Sequence, residues 1–147
     1  RIYKHEINID FINKINNAVE NELNVIYCIG ETLNEKENGR TYEVLEKQIS
    51  EVLNNVEIKN IMIAYEPVWA IGTAKVPEAD EIKENIKFIN DIIMEKYEEK
   101  LDILYGGSVN DTNIGELCTI KGLNRFLVGG ASLDPNKVKG MLIEMEK

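Results

Sequence analysis

The stretch "NIMIAYEPV", residues 60–68, decides the fold of this 147-residue chain. Its apolar residues follow one another without the alternation that is typical of a strand with one face in water. Three further runs have the same character: "LNVIYCIGE" (23–31), "LDILYGGSV" (101–109) and "NRFLVGGASL" (124–133). Continuous apolar runs of this kind predict strands that are covered on both faces, as in a parallel sheet.

Segments with helical periodicity flank and separate these runs, and they lie at 10–22, 41–55, 78–97, 111–120 and 134–146. Thr41 and Asp134 are the predicted N-caps of two of them, and Pro135 is expected at a first helical position. One helix followed by four strand–helix pairs predicts an α/β fold with parallel strands and right-handed crossovers. A flavodoxin-like open sheet and part of a (β/α)₈ barrel both fit, although a whole barrel needs about 250 residues.

The composition narrows the class of partner. The chain has 17 basic and 26 acidic residues and a formal net charge of -9, which disfavours nucleic acid or an anionic membrane surface. A small anionic ligand still fits, because a local pocket can be positive. No apolar stretch reaches the roughly 18 residues of a membrane helix, and no signal peptide is recognisable. Cys28 and Cys118 form neither a metal-type pair nor a disulfide framework, so we expect packed thiols in a reducing, cytoplasmic setting.

Glu66 ends its apolar run, at the edge where ligands of α/β folds gather. It is a candidate general base. A cation distant in sequence could instead pair with it and make it structural. The loop that follows, 67–75, has a stiff first arm with proline and tryptophan and a mobile middle at Gly72, which predicts a lid that closes over a ligand.

Two Gly-Gly pairs, at 106–107 and 129–130, close the next two runs. Glycine lets a backbone approach a ligand closely and expose N–H groups, and such groups bind phosphate. Glycines that serve only as turns are the alternative. Two pairs after successive strands, one of them followed by Ser108, favour the phosphate site.

Four motifs resemble the triosephosphate isomerase family: "CIGETLNEKENGRT" (28–41), "AYEPVWAIGTAK" (64–75), "YGGSV" (105–109) and "VGGASL" (128–133). The resemblance runs through the whole chain. It implies an isomerase of glycolysis and gluconeogenesis that interconverts dihydroxyacetone phosphate and D-glyceraldehyde 3-phosphate through an enediolate, without cofactor or metal. It also implies a (β/α)₈ barrel that is cytoplasmic and, at full length, a homodimer. Another phosphate-binding barrel enzyme is disfavoured, because "YEPVWAIGT" (65–73) joins base and lid.

The same resemblance assigns roles to individual residues. Glu66 is implied as the catalytic base. The implied lid consists of Pro67, Val68, Trp69, Ala70, Ile71, Gly72, Thr73, Ala74 and Lys75. Substrate phosphate would be held near Gly72, Ser108, Gly129 and Gly130, and the closed lid would be secured by Tyr105 and Ser108. Glu31, beside the site, is expected to be structural and to hold loops by hydrogen bonds.

The chain departs from the family pattern in the lid. The family usually has glycine where Ala74 stands, and "TAKVPE" (73–78) is about two residues shorter than usual by that resemblance. We still expect closure, because Gly72 and the anchored first arm are present.

The family's early lysine and asparagine, and its electrophilic histidine, have no counterpart in these residues. Arg1 resembles the second of a paired arginine that follows that histidine, and His5 is expected to be a surface or helix-capping residue instead. We therefore expect 1–147 to be the C-terminal half of the barrel, strands five to eight, with the N-terminal half absent and the piece inactive alone. A true short product, a non-catalytic half-barrel with residual phosphate binding, is the alternative.

Overall fold

The computed structural model describes residues 6–73, 75–123 and 125–146. Its strands are β1 (Val25–Ile29), β2 (Ile61–Tyr65), β3 (Ile103–Gly106) and β4 (Arg125–Leu127). The helices are α1 (Asn8–Glu20), α2 (Leu33–Glu37), α3 (Thr41–Leu53), α4 (Ala79–Tyr97), α5 (Ile114–Cys118) and α6 (Pro135–Met145). Short 3₁₀ turns cover Val68–Ala70 and Gly130–Leu133. All four predicted strands are confirmed, each shorter than its apolar run.

The strands pair in the order β1-β2-β3-β4, and all three pairings are parallel. A doubly wound open sheet instead reverses its strand order at a switch point. Winding in a single direction fits half of a (β/α)₈ barrel, so the predicted fold class is confirmed and the flavodoxin-like alternative is wrong. The carboxyl ends of the strands consequently meet along one rim.

One face of the sheet packs against the helices. Alternate strand residues point to this face, and they include Tyr27, Ile29, Ile63, Tyr65 and Tyr105. The helices pack side chains against this face that are no more than 1% exposed, among them Leu45, Ile49, Ile82, Ile86, Ile89 and Ile93. Each such aliphatic side chain contributes about 1.5–3 kcal/mol when it leaves water, so this layer holds the sheet in place.

The opposite face of the sheet is covered unevenly. Ala64 and Leu104 are buried at its centre, whereas Ile26 on β1 is 42% exposed. Cys28 on the same strand is also exposed, as is Cys118 at the end of α5. The expectation of cover on both faces is therefore wrong for β1, because Ile26 and Cys28 are exposed on it. The expectation of packed thiols is also wrong, since both cysteines are exposed.

Helix starts follow local hydrogen bonding. Asp134 caps α6 as predicted, since its carboxylate accepts the Asn136 N–H at 2.9 Å and Pro135 is the first helical residue. Thr41 is not an N-cap. It is already the first residue of α3, and Arg40 before it makes no side-chain capping bond.

The helix α2 was not predicted from periodicity because it is short. Its start is a reciprocal capping box. The Thr32 hydroxyl accepts the Glu35 N–H at 3.3 Å, and the Glu35 carboxylate accepts the Thr32 N–H at 2.7 Å. None of the helices in the described ranges is long and apolar enough to cross a membrane.

The turns at the amino end of the sheet contain non-glycine residues with left-handed backbones: Glu22 (φ 57°), Asn60 (φ 56°) and Glu98 (φ 53°). Each lies shortly before a strand. Glu98 also ends α4 in this conformation, where a carboxylate opposes the negative end of the helix dipole. Its Cβ is crowded against backbone oxygen in the left-handed region, a strain that glycine avoids.

We expect Glu98→Gly to raise the free energy of unfolding by about 1 kcal/mol, because the strain at this position disappears. Urea denaturation would measure the change. Glu98→Ala removes the charge but keeps the Cβ, so it should raise the free energy of unfolding clearly less. Equal gains for the two variants would show that charge, and not backbone strain, limits stability at this turn.

Candidate active site

A cleft of about 580 Å³ lies beyond the carboxyl ends of β2, β3 and β4. It brings together the residues that the sequence analysis singled out separately: Glu66, Gly72, Ser108, Gly129 and Gly130. Its remaining lining residues come from the same loops and the start of α6: Ile71, Gly107, Val109, Asn110, Leu127, Val128, Ala131 and Lys137. Pockets of about 300–1,000 Å³ are usual for small molecules, so a small ligand has room here.

Glu66 is half-buried and directly follows β2. Its N–H donates to the carbonyl of Ile29 at 2.7 Å, which ties it to the end of β1. Its side chain lies over Gly106, where an added Cβ would be 2.4 Å from Oε1 and 2.5 Å from Cγ of the glutamate. Gly106 therefore makes room for the carboxylate, which explains why a glycine is needed at this position.

Cys28 is a neighbour of Glu66 that sequence reasoning did not connect with the site. In the β1–β2 register it is opposite Ala64, and Glu66 follows two residues later on the same face. Burial of the sulphur, then the Glu66 carboxylate, raises the pKa of the Cys28 thiol to about 12, although the residue as a whole is exposed. The thiol thus stays protonated at neutral pH, which favours a hydrogen-bond donor over a nucleophile.

The first arm of the loop after β2 is fixed by Glu31, whose side chain is fully buried. The indole Nε1 of Trp69 donates to the Glu31 carboxylate at 2.8 Å, and the Tyr65 hydroxyl donates to it at 3.3 Å. The Val68 N–H donates to the Glu31 carbonyl at 2.9 Å. The expectation that Glu31 holds loops by hydrogen bonds is confirmed.

The middle of that loop is exposed. Gly72 has a φ of +67°, which few other residues adopt without strain. The Thr73 hydroxyl donates to the Trp69 carbonyl at 2.8 Å and accepts the Lys75 N–H at 3.3 Å. Ala74 lies outside the described residues, as do Arg1 and His5. The loop therefore combines an anchored first arm with an exposed middle.

Ser108 and Tyr105 both lie against the anchored arm. The Ser108 hydroxyl donates to the Ala70 carbonyl at 2.9 Å. Tyr105 is fully buried, and among the described residues its hydroxyl has no hydrogen-bond partner. Burial, then the charges of Glu81 and Glu31, raise the pKa of Tyr105, so the hydroxyl remains a donor. A buried hydroxyl without a partner costs about 1–3 kcal/mol.

Lys137 is a lining residue that the sequence analysis missed. It is exposed, and it is the third residue of α6. The cleft is thus lined both by the carboxylate that follows β2 and by a lysine in the first turn of α6. Among the described residues, no three His, Cys, Asp or Glu side chains cluster to hold a metal ion.

Residues 1–145 match the family model described as Triosephosphate isomerase. The chain belongs to the triosephosphate isomerase family. The triosephosphate isomerase of Geotalea uraniireducens is 45% identical over 123 residues, which are 79% of this chain and 49% of the relative. That of Dictyoglomus turgidum is 45% identical over 143 residues, 92% of this chain and 57% of the relative. The triosephosphate isomerase of Thermodesulfovibrio yellowstonii is 44% identical over 142 residues, which are 93% of this chain and 57% of the relative.

The chain spans about half the length of the curated triosephosphate isomerases that it matches. Its four parallel strands fit strands five to eight of the triosephosphate isomerase barrel. The half that is described contains the rim from which Glu66, the loop after it and both glycine pairs project.

Proposed function

We propose that the protein to which this chain belongs is a triosephosphate isomerase that interconverts dihydroxyacetone phosphate and D-glyceraldehyde 3-phosphate. One observation carries the proposal: a single cleft joins a carboxylate, a hinged loop and two glycine turns. Family membership supports the same reaction. The substrate would lie across the cleft, with its carbon chain at Glu66 and its phosphate near β4.

Glu66 would act as the base. It removes a proton from one carbon of the bound triose, which leaves an enediolate, and returns that proton to the neighbouring carbon. A positioned general base of this type contributes roughly 10²–10⁴-fold in rate. Support comes from the packing, because Gly106 and the bond from Glu66 N–H to Ile29 hold the carboxylate at the strand end.

The phosphate would be held by backbone N–H groups near Gly72, Ser108, Gly129 and Gly130. A Cβ added at Gly72, Gly129 or Gly130 would meet nothing within 4 Å, so these glycines border open space. The 3₁₀ turn starts at Gly130, and the first N–H groups of a helical turn have no partner within it. Lys137 adds a positive charge on the same side.

Residues Pro67 to Lys75 would close as a lid. Closure would exclude water and protect the enediolate, which otherwise loses its phosphate. Ser108 and the Tyr105 hydroxyl, which has no hydrogen-bond partner within 6–73, 75–123 and 125–146, are the groups proposed to secure the closed state. The anchored first arm supports closure in spite of the shorter loop with Ala74, because only the exposed middle has to move.

The whole protein is proposed to be a cytoplasmic homodimer that needs no cofactor or metal. The piece 1–147 is proposed to be a partial domain that is inactive alone, because the family's lysine and histidine are not among its motifs. The alternative is a non-catalytic half-barrel with residual phosphate binding. The exposed Ile26 on β1 weighs against this alternative, since an apolar side chain on a strand face would then stay in water.

A paired assay separates these readings. The longest polypeptide encoded by the gene and the 147-residue chain are each purified and tested for isomerisation and for binding of 2-phosphoglycolate. We expect the longer product to turn over the triose phosphates, and the 147-residue chain to show no turnover. Turnover by the 147-residue chain would contradict the proposed inactivity. Absence of turnover in both, with phosphoglycolate still bound, would support the non-catalytic alternative.

A further inference from the structure

Lys36 in α2 contacts both the first arm of the lid and the helix that follows the lid. Its Nζ is 2.6 Å from Oε1 and 2.8 Å from Oε2 of Glu81 in the first turn of α4. The same Nζ is 3.8 Å from the centroid of the Trp69 ring. A cation at this distance over an indole face is attracted by the ring quadrupole.

The two contacts fall at opposite ends of the loop. Trp69 belongs to the anchored first arm, and Glu81 is the third residue of the helix that follows the loop. One ammonium group therefore links the entry to the lid with its exit. The Trp69 ring is held twice, at its edge by the buried Glu31 carboxylate and at its face by Lys36.

We propose that Lys36 is a positioning residue that holds the two ends of the lid at a fixed separation, so that only the middle of the loop moves when it closes. The role in turnover rests on the proposed isomerase function. The side chains of Lys36 and Glu81 are each 30% exposed, and a partly exposed ion pair alone stabilises a fold little. The importance of this pair is that it couples to the aromatic ring, whose orientation sets the direction of the first arm.

The test compares Lys36→Met, Lys36→Arg and Lys96→Met in the longest polypeptide encoded by the gene. Lys36→Met keeps an apolar stem and removes the charge. Lys36→Arg keeps a cation that can both stack on the indole and pair with a carboxylate. Lys96→Met is the matched control, because Lys96 pairs with Glu46 at 2.7 Å and joins α4 to α3 away from the lid.

The first readout is acrylamide quenching of Trp69 fluorescence, assigned by its loss in Trp69→Phe. The second is kcat with KM. We expect Lys36→Met to raise the quenching constant about twofold and to lower kcat about fivefold with little change in KM, as the loss of one cation–π contact would give. Lys36→Arg should restore both values, and Lys96→Met should change neither.

The proposal is overturned if Lys36→Met and Lys96→Met give the same quenching and the same kcat, or if Lys36→Arg fails to restore them. Should Lys36→Met not fold, Glu81→Gln serves as the second variant, and a quenching constant equal to that of the wild type would overturn the proposal as well. A wild type without isomerase turnover would instead remove the proposed function, while the quenching series would still decide whether Lys36 holds the loop.

Discussion

Replacing Glu66 by glutamine should lower kcat by about 10³-fold if Glu66 is the proposed base, because an amide cannot accept the proton from the substrate. The amide has nearly the same shape, so the close packing over Gly106 is kept. If the base acts only in the transition state, kcat and kcat/KM fall together. Steady-state assays of the longest gene product in both reaction directions would measure the two parameters.

The control for this variant is Glu116→Gln, which makes the same chemical change at an exposed position on α5. Both variants should unfold at the temperature of the wild type within a few degrees. Retention of more than about a third of the wild-type kcat in Glu66→Gln would be incompatible with a general base, given the size of that contribution. The proton would then have to be taken by another group.

Gly106→Ala should lower kcat by about 10²-fold through the position of Glu66, because displacement of a catalytic group by about 1 Å can have this effect. An alanine Cβ would sit 2.4 Å from Oε1 of the glutamate, so the carboxylate has to swing aside or the strands have to separate. Overpacking of this kind also destabilises by about 1–3 kcal/mol, which thermal unfolding would show.

Gly115→Ala is the matched glycine control for this variant. A Cβ there would lie 3.2 Å from Oε2 of Glu144, the flexible end of that side chain, and 3.8 Å from its Cβ, which is ordinary contact. The double variant Gly106→Ala with Glu66→Gln tests whether Gly106 acts through Glu66. If it does, Gly106→Ala should lower kcat little further once the carboxylate is gone. Full additivity of the two losses would mean that Gly106 affects catalysis in another way.

Much of the fold could be predicted because it depends on local patterns. Continuous apolar runs located all four strands, and Asp134 with Pro135 located the start of α6. The choice between a barrel and an open sheet could not be made from these patterns, since both architectures repeat the same strand–helix unit. Only the pairing order of the strands separates them. Thr41 failed as a cap because a hydroxyl residue is acceptable on either side of a helix boundary.

The site was predictable where its residues follow strands directly. Glu66 and Gly107 do so, Gly129 and Gly130 follow β4 closely, and all four line one cleft. The partners that lie farther along the chain were not predictable. Cys28 reaches Glu66 through the β1–β2 register, and Lys137 reaches the cleft because the turn at Gly130–Leu133 redirects the chain. The contacts of Lys36 depend on α2. The capping-box residues Thr32 and Glu35 were the signal in the sequence that could have predicted this helix.

The left-handed residues Glu22, Asn60 and Glu98 all precede strands, so they lie at the end of the sheet away from the cleft. Enzymes often lose turnover when they are made more heat-resistant, because the substitutions stiffen parts that must move. Here the tight bends and the proposed lid are separated by the full length of the strands. Glycine substitutions at these three bends should therefore raise the unfolding temperature and leave kcat of the proposed isomerase at moderate temperature unchanged.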